Sequence, residues 1–219
     1  MSTKFKALSL GLLALLATAG FAVVNASATV SGHFEHDAAT NHATIVGQET
    51  VSPHDLVFTD EVSGSAFTCE HATYHGTAPA KTVTSVTVTP TYKTCKTVGG
   101  AHGAVTVHVN GCGFTLESHG ANTHGTVHVE CPAGKAIEIT HPNCTITVPA
   151  QTLNGMTYTQ KTENGKHTLT VDVTVKQITG HYHGGICIFL GTVRKFSMTG
   201  ALTVEAQNTA GERVNVTHT

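Results

Sequence analysis

The chain has 219 residues, a formal net charge of −2 with histidine neutral, and only 12% charged side chains, about half the usual share. Its polar character comes instead from threonine, glycine and sixteen histidines. Arg194 and Arg213 are the only arginines and no basic patch is visible, which excludes DNA or RNA binding as an expected function.

At the N-terminus, Lys4 and Lys6 precede the apolar run Ala7 to Val24, which ends in the small-residue site Ala26-Ser27-Ala28. This is the pattern of a secretory signal peptide over residues 1–28. A retained transmembrane anchor is the competing reading, but the run barely reaches the roughly 20 residues needed to cross a bilayer. No later segment is apolar enough to span. Cleavage after Ala28 leaves residues 29–219, enough for one substantial core, and loss of Lys4 and Lys6 takes the net charge from −2 to −4.

Residues 29–62 give a mixed signal, with short candidate strands at Ala43 to Val46 and Leu56 to Thr59, and read as an N-terminal arm or edge strands. From Ser63 to the C-terminus the alternation becomes regular and predicts the main domain, 63–219. Val86, Val88, Pro90 and Tyr92 share one face of a strand, and Val105, Val107 and Val109 share one face of the next. Pro90 cannot donate to a ladder, which places it at an edge or a bulge.

The segment from Cys112 to Cys131 predicts a stapled hairpin. Folded about Ala121 and Asn122, it sets Cys112 opposite Cys131, Phe114 opposite Val129 and Leu116 opposite Val127, so one face is wholly apolar or cysteine. A slip of one residue would turn that face to water. Ile137 and Ile139, then Cys144, Ile146 and Val148, make a short second hairpin through His141-Pro142-Asn143. Asn164-Gly165 is the preferred pair for a two-residue type I′ turn, and folding there sets Tyr158 against Val171 and Met156 against Val173. Leu169 to Val175 and Phe196 to Val204 supply two more inward faces.

About ten strands and no helical periodicity outside the leader predict an all-β fold, an antiparallel β-sandwich or its barrel-like variant. Six cysteines in an exported chain read as a disulfide framework, with fifteen pairings open to six cysteines. Sequential pairing is expected: Cys69–Cys95, Cys112–Cys131 and Cys144–Cys187. A metal-thiolate site is the alternative and lacks any C-x-x-C spacing.

Among the histidines, His181 and His183 are the best candidate metal pair. On a strand they share one face at roughly 7 Å between Cα atoms, within reach of one zinc or copper ion. His33 and His36 converge with Glu35 only if their segment turns, and His124 and His128 lie too far apart along a strand to chelate alone. The competing expectation is that the histidines are solvated polar residues of a low-charge β surface, with no cofactor. So many imidazoles also predict a response to mild acid.

Catalytic signatures are missing: there is no G-x-S-x-G, no H-E-x-x-H, no Walker loop and no dinucleotide-binding glycine pattern. Glu117 and Glu130 lie near each other on the polar face of the stapled hairpin, in a diagonal offset that argues against a shared proton. Asn143-Cys144-Thr145 and Asn215-Val216-Thr217 match the glycosylation sequon, a match that arises readily by chance in a threonine-rich chain.

The order Cys69-x-x-Ala72-x-Tyr74-x-Gly76, Val88-x-Pro90-x-Tyr92-x-x-Cys95, Asn110-Gly111-Cys112, Cys131-Pro132-Ala133-Gly134 and Cys144 to Val148 resembles a group of uncharacterised secreted proteins of actinobacteria, over about Ser63 to Val204. The resemblance implies export, disulfides and a β architecture, and carries no activity. The expected function is therefore a non-enzymatic, secreted or cell-surface module that contacts a surface polymer, a protein, a ligand or another copy of itself. A histidine-based divalent-metal binder, with hydrolytic activity conceivable, is the alternative.

Overall fold

Strands form where apolar and polar residues alternate, because one face can then be buried while the other stays in water. In the computed structural model, which describes residues 32–49, 55–99, 103–120, 124–141, 144–184 and 193–219, every regular element among the described residues is a strand. In chain order these are β1 (Phe34–His36), β2 (Ala43–Glu49), β3 (Val57–Asp60), β4 (Ala66–Ala78), β5 (Thr82–Val83), β6 (Ser85–Val98), β7 (Ala104–His108) and β8 (Gly113–His119). They continue with β9 (His124–Glu130), β10 (Ile137–His141), β11 (Cys144–Val148), β12 (Gln151–Glu163), β13 (Lys166–His183), β14 (Val193–Gln207), β15 (Arg213–Val214) and β16 (Val216–His218). No helix among the described residues is long and apolar enough to cross a membrane, and the predicted leader lies outside them.

The antiparallel pairings close a ring. Four long strands form two ribbons, β4 with β6 and β13 with β14. Between the ribbons stand staves that are each broken once. β2 and β3 both lie between β14 and β4. On the other side, β8 and β7 flank β6, β9 and β10 follow them, and β12 and β11 complete the path to β13. Counted as staves, neighbours in space are neighbours in sequence and the last meets the first, which makes the sheet the barrel-like form of the expected all-β fold, with an up-and-down order. Closure leaves the ring only short unpaired stretches among the described residues, such as that of β6 around Pro90, rather than a long open edge. The broken staves explain why more strands are present than the ten or so expected.

Local chemistry marks the breaks. Asn110 and Gly111 take left-handed φ values of 51° and 82° between β7 and β8, where the Cys112 N–H donates to the Val109 carbonyl at 2.8 Å. In β13 the register shifts between Val175 and Ile178, with Gln177 at φ 61° and its amide groups donating to Glu61. Such bulges bend a strand and help a sheet curl. Pro90 lies where β6 has only β4 as a neighbour, between the residues paired with β8 and those paired with β7.

The stapled hairpin and the Asn164-Gly165 hairpin have the expected registers, with Phe114 facing Val129 and Tyr158 facing Val171, and the short hairpin between them pairs Ile139 with Ile146. Cys69–Cys95 and Cys112–Cys131 are formed, the first directly across β4 and β6. Cys144 is also disulfide-bonded, and its expected partner Cys187 lies outside the described residues. The reading of 29–62 as an arm or edge needs correction, because β2 and β3 have a neighbour on both sides and complete the ring. Their alternation is short, so only the distant strands β4 and β14 give them a place.

A separate sheet of order β16-β1-β5 caps one end of the barrel. Phe34 faces His218 and His36 faces Val216 across it, and Phe34, His36, Val83 and Val216 line a small cavity of about 30 Å³ over the barrel residues beneath. The Asn215 sequon is built into the root of this cap: its side chain donates to Asp37 at 2.5 Å and accepts from the His167 N–H at 2.7 Å. That amide is already engaged in the folded chain. Asn143 lies outside the described residues.

Candidate functional site in the barrel interior

Because each stave alternates, one side chain in two points inward, and those inward residues are apolar almost throughout. They leave a cavity of about 120 Å³, walled by side chains such as Ile45, Val88, Phe114, Val129, Val175 and Leu202. An eight-stranded barrel is just wide enough to be filled by side chains or to hold one small ligand. Cavities lined by apolar groups stay dry, since a water inside would find no polar partners.

Tyr74 and Tyr92 are the polar exceptions in this lining. Tyr74 stands opposite Gly47 in the β2–β4 register, and a Cβ at Gly47 would lie only 3.2 Å from the Tyr74 Cβ, so glycine gives this ring room. The two rings meet edge to face at 6.1 Å between centroids, and their hydroxyls share a hydrogen bond of 3.3 Å. Burial raises both hydroxyl pKa values, Tyr92 to about 12, and the Glu49 carboxyl adds to the rise in each. Both phenols are therefore neutral across the physiological range. Glu49 itself accepts a hydrogen bond from the Leu56 N–H, and burial pushes its pKa up.

At the end of the barrel opposite the β16-β1-β5 sheet, Asp60 is 2% exposed and collects donors from three elements. Its Oδ1 accepts from the Val62 and Ser63 amides and from Arg194 Nη2, at 2.8, 3.0 and 3.0 Å. Its Oδ2 accepts from Tyr182 Oη at 2.8 Å and Arg194 Nε at 3.2 Å. Burial alone would raise the pKa of this carboxyl; the Ser63 amide, the Arg194 guanidinium, the Val62 amide and the Tyr182 hydroxyl outweigh it and bring it down to about 2. This is a tie between β3, β13 and β14. No local pattern announces it, since Asp60 and Arg194 are 134 residues apart.

At the capped end, the rings of His218 and Tyr158 lie 4.8 Å apart, and His218 Nε2 shares a hydrogen bond of 2.6 Å with Ser118. Burial lowers the pKa of His218, and His33 lowers it further. His36 is 7% exposed. Burial lowers its pKa too, with Lys81 and His42 in support and the Ala80 carbonyl and Asp37 in opposition. A histidine whose folded pKa is depressed supplies stability that is complete above its unfolded value of about 6.5 and lost as pH falls through the folded value. We expect the cap to loosen first in mild acid. Amide hydrogen exchange of residues 34–36 and 216–218, corrected for intrinsic rates, should lose protection below about pH 6.5; protection that is flat to pH 5 would disprove this.

The structure separates the histidine candidates. His181 and His183 share the outer face of β13, opposite Thr147 and Thr145 of β11, and His183 Nε2 bonds to Thr147 Oγ1 at 3.0 Å. Among the described residues no group of three metal-ligating side chains gathers there or elsewhere. His33 is held by Glu35 and Thr219, while His36 faces the barrel, so the two do not converge.

On the outer face of β8, β9 and β12, His128 bonds to Glu117 Oε2 and to Thr152 Oγ1, each at 2.9 Å. A carboxylate, an imidazole and a hydroxyl in series have the order of a proton relay. Neither cavity touches these residues, and the neighbouring rows Glu130–Thr115–Thr87 and His119–Thr126–Asn154 show the same cross-strand bonding. They are rungs of an outward polar ladder. Glu117 and Glu130 thus have different partners. Sequence alternation marks Tyr92 as inward, and nothing local reveals that its hydroxyl meets Tyr74.

Comparison of the chain with protein-family models, with curated proteins and with solved structures gave no match.

Proposed function

We propose that the protein is an exported, non-enzymatic ligand-interaction module whose barrel interior receives one small apolar molecule. The observation that carries this reading is the cavity of about 120 Å³, whose described lining is apolar apart from a single pair of tyrosine hydroxyls. Its size limits the occupant. Sites for drug-sized ligands start at about 300 Å³, whereas an apolar cavity of about 150 Å³ accepts benzene. The ligand is then a single ring or a short branched chain. Export is supported by the leader pattern of residues 1–28, and an oxidising compartment by the two disulfides.

Toluene is the test ligand. At a concentration 100 times its Kd, binding adds about 2.7 kcal/mol to stability, so the unfolding midpoint should rise and the methyl resonances of Val129, Val175 and Leu202 should shift. An unchanged midpoint with unshifted methyl signals at saturating toluene would remove the reading.

A further inference from the structure

We propose that the Tyr74–Tyr92 hydroxyl pair is the polar anchor of the barrel cavity, and that the ligand is a small, neutral, apolar molecule carrying one hydrogen-bond acceptor, such as a cyclic ketone. The proposal rests on the cavity being the binding site.

Among the described side chains that wall the cavity, only these two carry a hydrogen-bonding O–H or N–H group. Each phenol has one proton to donate. Two hydroxyls that bond to one another use one of the two protons, and among the described residues neither hydroxyl has a further hydrogen-bond partner. One donor is therefore left in a site with no protein acceptor to take it. An unused polar group in apolar surroundings is unfavourable until a partner arrives. The partner has to bring an acceptor, and a carbonyl oxygen supplies one without adding a donor of its own.

Charge decides between neutral and ionised ligands. Among the described residues of the cavity wall there is no lysine, arginine or histidine to balance an anion. The Glu49 carboxyl acts on both hydroxyls and opposes negative charge beside them. A carboxylate ligand is disfavoured on both counts, and so is a cation, which the apolar wall cannot solvate. A neutral carbonyl compound of one ring satisfies size, polarity and charge together.

The test compares cyclohexanone with methylenecyclohexane, which has the same ring with =CH2 in place of =O. Both are titrated by NMR into the folded chain and into the Tyr74→Phe/Tyr92→Phe variant. Removing both members of a hydrogen-bonded pair leaves no orphan, so this variant should fold with little change in its melting midpoint. The expected result is a loss of about 2- to 12-fold in cyclohexanone affinity, the equivalent of one neutral hydrogen bond, with methylenecyclohexane affinity unchanged. Equal cyclohexanone affinity in the two proteins overturns the anchor while leaving the cavity reading intact. If the wild-type chain binds neither compound, the cavity reading fails and the anchor falls with it. A readout that needs no variant is the carbonyl stretch of bound cyclohexanone. It moves to lower wavenumber than in a hydrocarbon solvent if a phenol donates to it, and an unmoved band overturns the proposal.

Discussion

Replacing Asp60 by alanine should lower the stability of the folded chain by about 3–5 kcal/mol, the range seen when one partner of a buried ion pair is removed. The reason is what remains behind. Arg194, whose side chain is 13% exposed, keeps its charge, and the Tyr182 hydroxyl and the Val62 and Ser63 amides lose their acceptor. Asp60→Asn keeps the shape but turns an N–H2 group toward this ring of donors, so it should recover less than half of the loss. The double change Asp60→Ala/Arg194→Met should cost less than the two single changes together, because both single changes break the same contact. Urea unfolding of the oxidised protein measures all of these. A single-variant loss below about 1 kcal/mol would show that the cluster is not a structural tie.

The same carboxyl fixes an acid limit. Its pKa falls from 3.8 to about 2 on folding, so its contribution is complete above the unfolded value and lost as pH drops through about 2. The cap histidines act in the opposite chemical sense at higher pH, where protonation of the unfolded form sets in near 6.5. Acidification should therefore proceed in two stages, the cap loosening well before the Asp60 cluster fails.

The contrast between these sites shows what could be read from the chain. Hairpin registers were legible where partners are close in sequence: the pairing of Phe114 with Val129 follows from alternation and a turn, and that of Tyr158 with Val171 from Asn164-Gly165. Closure of the barrel depends on β14 meeting β2 and β3, the first strands of the ring in chain order, and no periodicity encodes a pairing across such a separation. The candidate site followed the same rule. Inward alternation identifies Tyr92, but the contact between its hydroxyl and that of Tyr74 requires the β4–β6 register, and Asp60 and Arg194 meet only once the ring is closed. The abundance of histidine drew attention to metal binding because spacing along one strand is visible in sequence. Whether a third ligand arrives from another strand is not.

Phe196→Ala should cost a further 3–5 kcal/mol, as buried phenylalanine truncations typically do (about 3–5 kcal/mol), and should change what the barrel accepts. Phe196 is 1% exposed, stacks on Phe58 at 4.9 Å and meets Tyr182 edge to face at 5.8 Å. It also fills the space above Gly180, where a Cβ would lie 2.5 Å from the ring. Removing it deletes both ring contacts and leaves a void. Phe58 and Ile178, which adjoin Phe196, already wall the central cavity, so that void extends the cavity toward the Asp60 end. The destabilised variant should then gain affinity for a longer ligand such as n-butylbenzene relative to toluene, and n-butylbenzene should restore part of the lost stability by mass action. Urea unfolding with and without each hydrocarbon separates the two effects. A loss of stability without any shift in ligand preference would mean that the barrel collapses onto the void, and that its interior is packing rather than a site.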